Sequence, residues 1–265
     1  MLPAIVATDL DGTLLRPDLS VSRFTRRVLQ QLEDHGVQII FVTARPPRWM
    51  APLEQIAPAH GRAICLNGAL MWNFTTHTAT RIRGFTHGEV QRIVTDLREA
   101  IPGIALGAER HTGVVFDPHF VSQHPHGPHT RWAFIETMVD VPVGKLLAQA
   151  PHLDDTTFFT QVHNVLDDRA LLAFSGAGGL AEMTAPGVTK AAALAQWAAD
   201  HNVPASQVIA FGDMPNDLPM LTWAGTGIAV ANAHPDVLHH ADGHALAHHD
   251  DGVARYLAEL YNLHV

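Results

Sequence analysis

Short apolar runs alternate with longer stretches of helical spacing at both ends of the chain. The runs AIVAT (4–8), VQIIFVT (37–43) and AICL (63–66) are rich in β-branched residues, have strand length, and end at polar or glycine residues, which predicts three strands. Between the first two, Val21, Phe24, Val28, Leu29 and Leu32 recur at helical spacing, with Ser20 or Ser22 as cap and Gly36 as stop. Strand, helix and strand make a βαβ unit. Late in the chain the alternation resumes as a helix (189–201), the strand QVIAFG (207–212), a helix (215–223), the strand TGIAV (226–230) and a last helix in DGVARYLAEL (251–260). Such alternation predicts a parallel sheet covered on both faces.

The middle of the chain reads differently. HGEVQRIVTDLREAI (87–101) and VGKLLAQA (143–150) carry helical patterns, whereas TGVVF (112–116), TTFFTQV (156–162) and RALLAFSG (169–176) read as strands. A loop rich in His and Pro, DPHFVSQHPHGPHT (117–130), interrupts them. The expected organisation is an α/β core at 1–83 and 184–265 with an inserted α+β domain at 84–183.

Chemistry gathers where the predicted strands end. AIVAT runs into Asp9 and Asp11, with Gly12 permitting a sharp turn directly after them. Alternate residues of an extended segment share a side, so these two carboxylates are expected to converge, and a hard cation such as Mg²⁺ would relieve their repulsion. An ordinary Asp/Gly turn is the plainer reading of such a stretch. It loses ground at FGDMPND, where a second strand ends in Asp213, Asn216 and Asp217, with Pro215 suited to a first helical turn. In a parallel sheet both clusters leave the same edge, where ligands of doubly wound folds bind. A calcium loop starting at Asp9 is excluded, because its sixth and twelfth positions are Leu14 and Ser20.

Thr43 closes a third strand at that edge, and Lys190 opens a helix near it. A hydroxyl, an ammonium, carboxylates and Mg²⁺ together suit a transferring phosphoryl group, whose catalysis is mainly positioning and charge neutralisation.

The order DLDGTLL, VTAR, the lysine of APGVTK and GDMPND resembles the haloacid dehalogenase (HAD) superfamily of phosphohydrolases, and more narrowly its Cof-type sugar-phosphatase branch, whose large α/β cap lies between the second and third motifs. NGA (67–69) and ADGHALAHHDDGVARYL support the likeness, which spans nearly the whole chain. The resemblance implies a Rossmann-like core with a mobile cap. It implies that Asp9 is a nucleophile forming an aspartyl-phosphate and that Asp11 is the general acid and then base. Asp9, the Asp11 carbonyl and Asp213 would hold Mg²⁺, with Asp217 as a further ligand or neighbour, while Thr43, Lys190 and Asn216 grip phosphoryl oxygens. Asp11 separates phosphatases from dehalogenating members, since an alkoxide leaving group needs a proton. The expected substrate is a small phosphorylated metabolite, with sugar phosphates leading. A phosphomutase using the same intermediate and a non-catalytic phosphate-ligand sensor are the alternatives. The chain departs from the family pattern at Ala44, where relatives often carry Gly, and at His248 and His249, where they often carry Ser or Asn.

Composition narrows the picture. A formal net charge of -9 opposes nucleic acid or an anionic membrane as partner. Cys65 is the single cysteine and the N-terminus lacks a basic, apolar leader, so a soluble, cytoplasmic protein is expected, its oligomeric state left open. Lys145 and Lys190 are the only lysines among 17 basic residues, which sharpens interest in Lys190. Seven of the 19 histidines lie from His234 onward; with histidine common throughout, they are a weak case for a transition-metal site. The dinucleotide, P-loop and GxSxG patterns are absent. Trp72, Trp132, Trp197 and Trp223 are expected in packing roles. Arg45, His124, His126, His129 and Arg131 are candidates to meet a leaving group.

Overall fold

The chain was analysed as a computed structural model, which describes residues 2–57, 61–122, 127, 129–137, 142–173 and 178–265. Its first unit opens with β1 (Ile5–Thr8), α1 (Arg23–Asp34), β2 (Gln38–Val42) and β3 (Arg62–Cys65), followed by the hairpin β4 (Leu70–Asn73) and β5 (Thr78–Thr80). All four β1 residues are buried: β1 is an inner strand, its edges paired in parallel with β2 and a late strand, and Ile5, Val6 and Ala7 pack within the main apolar cluster. Ser22 caps α1, its hydroxyl accepting from the Thr25 amide, and Val28, Leu29 and Leu32 are buried.

The chain then passes into a second sheet: α2 (His87–Ala100), β6 (Ala105–Arg110), β7 (Gly113–Phe116), β8 (Thr130–Trp132), β9 (Lys145–Gln149), α3 (Asp155–Leu166), β10 (Leu171–Ala173) and β11 (Ala181–Thr184). Its strand order is β10-β11-β9-β6-β7-β8, antiparallel except for the β7–β8 pair. The chain returns to the first unit through α4 (Lys190–Asp200), β12 (Val208–Gly212), α5 (Leu218–Trp223), β13 (Thr226–Val230), α6 (Pro235–His240), β14 (Gly243–Ala245) and α7 (Gly252–Leu260). The larger sheet runs β14-β13-β12-β1-β2-β3-β4-β5. It is parallel from β14 to β3 and antiparallel at the β4–β5 end, a mixed edge on the expected parallel sheet.

Two segments of the second unit contradict their sequence patterns. VGKLLAQA, expected as helix, is the strand β9, flanked by β6 and β11. Both faces of β9 are covered, so Leu146 and Ala148 are as buried as Lys145 and Leu147, and the polar alternation that marks a strand is lost. TTFFTQV, expected as strand, lies within α3. There Asp154 caps the helix by accepting from Thr157 N, and Phe158, Val162 and Leu166 recur at four-residue spacing on the buried face, outweighing the β-branched and aromatic composition. RALLAFSG contributes β10, and its end lies outside the described residues.

The two faces of the second sheet are packed separately. Leu106, Ala108, Val115, Leu146, Ala148 and Met183 join one large apolar cluster with Leu97, Phe158 and Val162 of its helices. Ala105, Val114, Phe116, Phe120 and Leu147 form a second, smaller cluster. Among the described residues no helix is long and apolar enough to cross a membrane.

Candidate active site

From β1 the chain continues to β2 on one side, and from β12 to β13 on the other, so a crevice opens between β1 and β12 beyond their carboxyl ends. Asp9 follows β1 there, its amide donating to Phe211 O at 3.0 Å. Asp213 follows β12, and Asp217 ends the short turn Pro215–Asp217, which leads into α5 as the position of Pro215 predicts. Asp217 Oδ2 accepts from the Asp213 and Met214 amides, both at 3.1 Å. Lys190, the first residue of α4, reaches across to donate from Nζ to Asp9 Oδ1 at 2.5 Å and Asp217 Oδ1 at 2.6 Å. Asp9, Asp213, Asp217 and Lys190 are all buried.

Two glycines make this closeness possible. Gly12 adopts φ 78°, and a Cβ there would stand 2.4 Å from Asp213 Oδ2. A Cβ on Gly212 would lie 2.5 Å from Asp217 Cβ. Thr13 donates to Asp213 Oδ1 at 2.7 Å and fixes that carboxylate from the β1 side.

Three buried carboxylates against one ammonium leave the site short of positive charge. Burial pushes the Asp9 carboxyl well above the ordinary aspartate range; Lys190 pulls it down, and Asp217 and Asp213 push it further up. Asp213 is pushed up to about 6, by burial first and by Asp217 next. Burial works against the charge on Lys190, but Asp217 and Asp9 outweigh it and hold the ammonium above the usual lysine range. Carboxylate oxygens of Asp9, Asp213 and Asp217 lie within 4.8 Å of one another. An all-oxygen donor set with excess negative charge fits a hard divalent cation such as Mg²⁺.

Asp11 departs from the expected convergence. The chain leaves the strand after Asp9, with Leu10–Leu14 forming an irregular turn whose backbone is non-helical at Asp11 and Gly12, and the Asp11 carboxylate is half exposed rather than part of the buried group. It is bound by both nitrogens of the Arg45 fork, Nε to Oδ2 at 2.7 Å and the terminal nitrogen to Oδ1 at 2.5 Å. The ligand expected from Asp11 is its carbonyl, not this side chain.

Thr43 is buried behind β2, its Oγ1 accepting from the Arg45 amide at 3.1 Å. Asn216 donates from Nδ2 to Asn67 Oδ1 at 3.2 Å, while Asn216 Oδ1 and Asn67 Nδ2 are buried without partners. A donor and an acceptor held unsatisfied beside the carboxylates are suited to a polar ligand. Asn67 lies in the NGA stretch, and Gly68 brings that turn onto α4: a Cβ at Gly68 would stand 2.2 Å from Thr189 O.

A cavity of about 810 Å³ opens over these groups, between the larger sheet's carboxyl edge and one face of the second sheet. Asp9, Asp11, Thr43, Arg45, Lys190 and Asn216 line its floor. Facing them are Glu109, Lys145, Glu182, Phe116 and Leu147, with Arg48 and Trp49 at the side. None of these facing residues is a sequence-predicted site residue. The rarity of lysine marks Lys145 in the sequence, but its placement on an expected helix hides its direction.

Arg45, a leaving-group candidate from the sequence, is among the residues that line the cavity. His129 and Arg131 are exposed and are not among its lining residues, and His124 and His126 lie outside the described residues. His248 holds the loop after β1, its ring nitrogen 2.8 Å from Leu15 O and its amide donating to Asn232 Oδ1, while Asn232 donates to Gly12 O at 2.8 Å. His249 is exposed beside Asp250. Trp72, Trp197 and Trp223 pack against the main cluster, whereas Trp132 is 46% exposed, its ring tilted against Phe116, which departs from its packing expectation.

A family model described as haloacid dehalogenase-like hydrolase matches residues 6–257. Across 98% of both chains the sequence is 30% identical to the 5-amino-6-(5-phospho-D-ribitylamino)uracil phosphatase YitU of Bacillus subtilis. It is 27% identical to the pyridoxal phosphate phosphatase YbhA of Escherichia coli, over 88% of this chain and 89% of that one. Among solved structures, a phosphatase of the HAD superfamily from Bacteroides thetaiotaomicron superposes with a TM-score of 0.83 at 23% identity, covering 98% of this chain and 96% of that chain.

Proposed function

The chain belongs to the haloacid dehalogenase-like hydrolases and is a phosphatase of that superfamily, and from this premise we propose that it hydrolyses a small phosphomonoester through an aspartyl-phosphate on Asp9 with Mg²⁺ as cofactor. The observation that carries the reading is the buried contact of Lys190 with Asp9 and Asp217, beside Asp213, at the mouth of a cavity large enough for a metabolite.

Asp9 attacks phosphorus, and the ester oxygen departs with a proton supplied by Asp11. Asp11, then ionised, takes a proton from water as that water attacks the aspartyl-phosphate, releasing inorganic phosphate and restoring Asp9. Lys190, Thr43 and Asn216 bind the phosphoryl oxygens, with Lys190 also holding Asp9 in its attacking position. Mg²⁺, held by Asp9, the Asp11 carbonyl and Asp213 with Asp217 beside them, would neutralise phosphoryl charge and favour ionised Asp9. The unit 84–183 acts as a cap over the core 1–83 and 184–265, excluding bulk water and meeting the leaving group. A cytoplasmic location accords with this chemistry on small metabolites. Sugar phosphates remain one arm of the substrate test.

Release of p-nitrophenolate from p-nitrophenyl phosphate tests the reading. Turnover is expected with Mg²⁺ and should be lost with EDTA and in Asp9→Asn; equal rates in all three conditions would remove the mechanism.

A further inference from the structure

The face that the second sheet turns to the cavity is ordered in rows. Register aligns Glu109 with Lys145, and Gly107 with both Leu147 and Phe116, while Leu147 pairs with Glu182. Side chains two residues apart share a face. Glu109 and Lys145 therefore form one row, and Glu182, Leu147, Gly107 and Phe116 form the next, in which Leu147 and Phe116 are the apolar members. Gly107 leaves room between them: a Cβ there would stand 2.9 Å from Phe116 Cδ1, so the ring leans over a strand that carries no side chain at that point.

The polar capacity of this face is almost entirely committed among the described residues. Arg48 pairs with Glu109 at 2.5 Å. Lys145 Nζ donates to Ala44 O at 3.0 Å and to Glu182 Oε1. Gln149 spends both ends of its amide on the Val121 backbone. One group is left over. Glu182 is 5% exposed, and its Oε2 has no hydrogen-bond partner. A buried carboxylate oxygen without a donor is costly unless a ligand completes it.

We propose that Glu182 is a specificity-determining residue of this phosphatase, its Oε2 accepting a hydrogen bond from an N–H on a flat, nitrogen-containing ring in the leaving group. The inference rests on the phosphatase reading above. Lys145 holds Glu182 in place and ties it to Ala44, between Thr43 and Arg45, so the acceptor is fixed relative to the phosphoryl end of the site. Trp49, Phe116, Leu147 and Leu180 supply apolar walls for a ring. A sugar presents several hydroxyls, each needing a buried partner, and among the described residues this face offers one. An aromatic ring with a single strong donor satisfies Glu182 and leaves the walls covered.

The test compares three phosphomonoesters with the full-length protein and Mg²⁺: an aminopyrimidine hydroxymethyl phosphate, its dimethylamino counterpart, and a hexose 6-phosphate, with p-nitrophenyl phosphate as the flat ring lacking an N–H. The amino ester should exceed both the dimethylamino ester and the hexose phosphate in kcat/KM by about tenfold or more, the scale of a charged hydrogen bond. In Glu182→Gln, Lys145 keeps an amide oxygen and the amide NH2 takes the place of the acceptor, so KM for the amino ester should rise about tenfold. The preference for amino over dimethylamino ester should collapse, with a much smaller change for p-nitrophenyl phosphate. Equal or better use of the hexose phosphate by the unmodified protein overturns the proposal without needing a variant, as does an equal loss on every substrate in a Glu182→Gln protein that melts normally. Failure of the unmodified protein to release phosphate from p-nitrophenyl phosphate would instead overturn the phosphatase reading and this inference with it.

Discussion

The guanidinium of Arg45 clasps the carboxylate of Asp11 through two hydrogen bonds of 2.7 and 2.5 Å, at the rim of the cavity rather than within the buried carboxylate group. A paired fork fixes the plane of the carboxylate as well as its position. Asp11 is thereby kept apart from Asp9, and under the proposed mechanism it meets the leaving group from this rim. In Asp11→Asn the first half-reaction with p-nitrophenyl phosphate should survive, because nitrophenolate leaves without a proton, but the second should stall without a base. Rapid mixing should give about one equivalent of nitrophenolate followed by turnover slowed by ~10²–10⁴-fold. An alkyl phosphate should give no burst. A burst of equal size from both esters would remove Asp11 from the acid role.

Lys190 sits between two buried carboxylates with almost no access to solvent. In Lys190→Met, Asp9 and Asp217 keep their burial and lose the ammonium that offsets it. The cost should be about 3–5 kcal/mol of unfolding free energy, as for other broken buried pairs. Urea unfolding should recover part of this with Mg²⁺ present, since a cation at the same carboxylates replaces some of the lost charge. Phosphatase activity should not return, because the phosphoryl oxygens lose a partner. A loss below about 1 kcal/mol, the scale of a surface pair, would contradict the structural role.

The Asp213 carboxyl, pushed up to about 6 from an ordinary value of 3.8, ties stability to pH. Its folded-state value is raised, so its contribution is fully present below about pH 3.8 and is lost as pH rises through 6. The metal-free protein should lose on the order of 3 kcal/mol from this group between pH 4 and pH 7. The raised Asp9 acts in the same direction. Surface carboxylates held low by hydrogen bonds, such as Asp154 and Glu89, act oppositely below about pH 4, so the difference with and without Mg²⁺ is the cleaner readout. The rise in Tm on adding Mg²⁺ should be small at pH 4.5 and large at pH 7.5. A Mg²⁺ effect of the same size at both values would show that these carboxylates do not hold the ion.

The floor of the site was legible in the sequence because parallel strands deliver the residues after their carboxyl ends to one edge: Asp9, Thr43 and Asp213 needed only three strand ends to be recognised. Lys190 was legible because lysine is rare in this chain and this one opens a helix. The side chain of Asp11 was not, since the irregular turn begins at Leu10, between the two aspartates, and breaks the two-residue alternation on which its expected direction depends. The opposite wall was hidden for a different reason. Lys145 lies on β9, whose two covered faces give it the leucine and alanine content of a helix, and Glu182 shows its importance only through an unpaired oxygen. Trp49 sits in the short turn Pro47–Trp49, which has no periodicity to read.

Gly12 and Gly36 share nearly the same positive φ, 78° and 79°, yet should respond differently to alanine. At Gly36 nothing lies within 4 Å of an added Cβ, so Gly36→Ala carries only the left-handed penalty of about 1–2 kcal/mol and should leave kcat within twofold, about the scatter of the assay. At Gly12 the same Cβ would stand 2.4 Å from Asp213 Oδ2, so either the turn or the carboxylate must move. A displacement on the ångström scale at a positioned group costs about 10²-fold in rate. Gly12→Ala should therefore lose activity far beyond its loss of stability, and a weaker apparent affinity for Mg²⁺ should accompany it, because Asp213 is one of the three carboxylates that converge. Matching effects of the two substitutions on Tm and on kcat would mean that the contact between Gly12 and Asp213 has no part in holding the site.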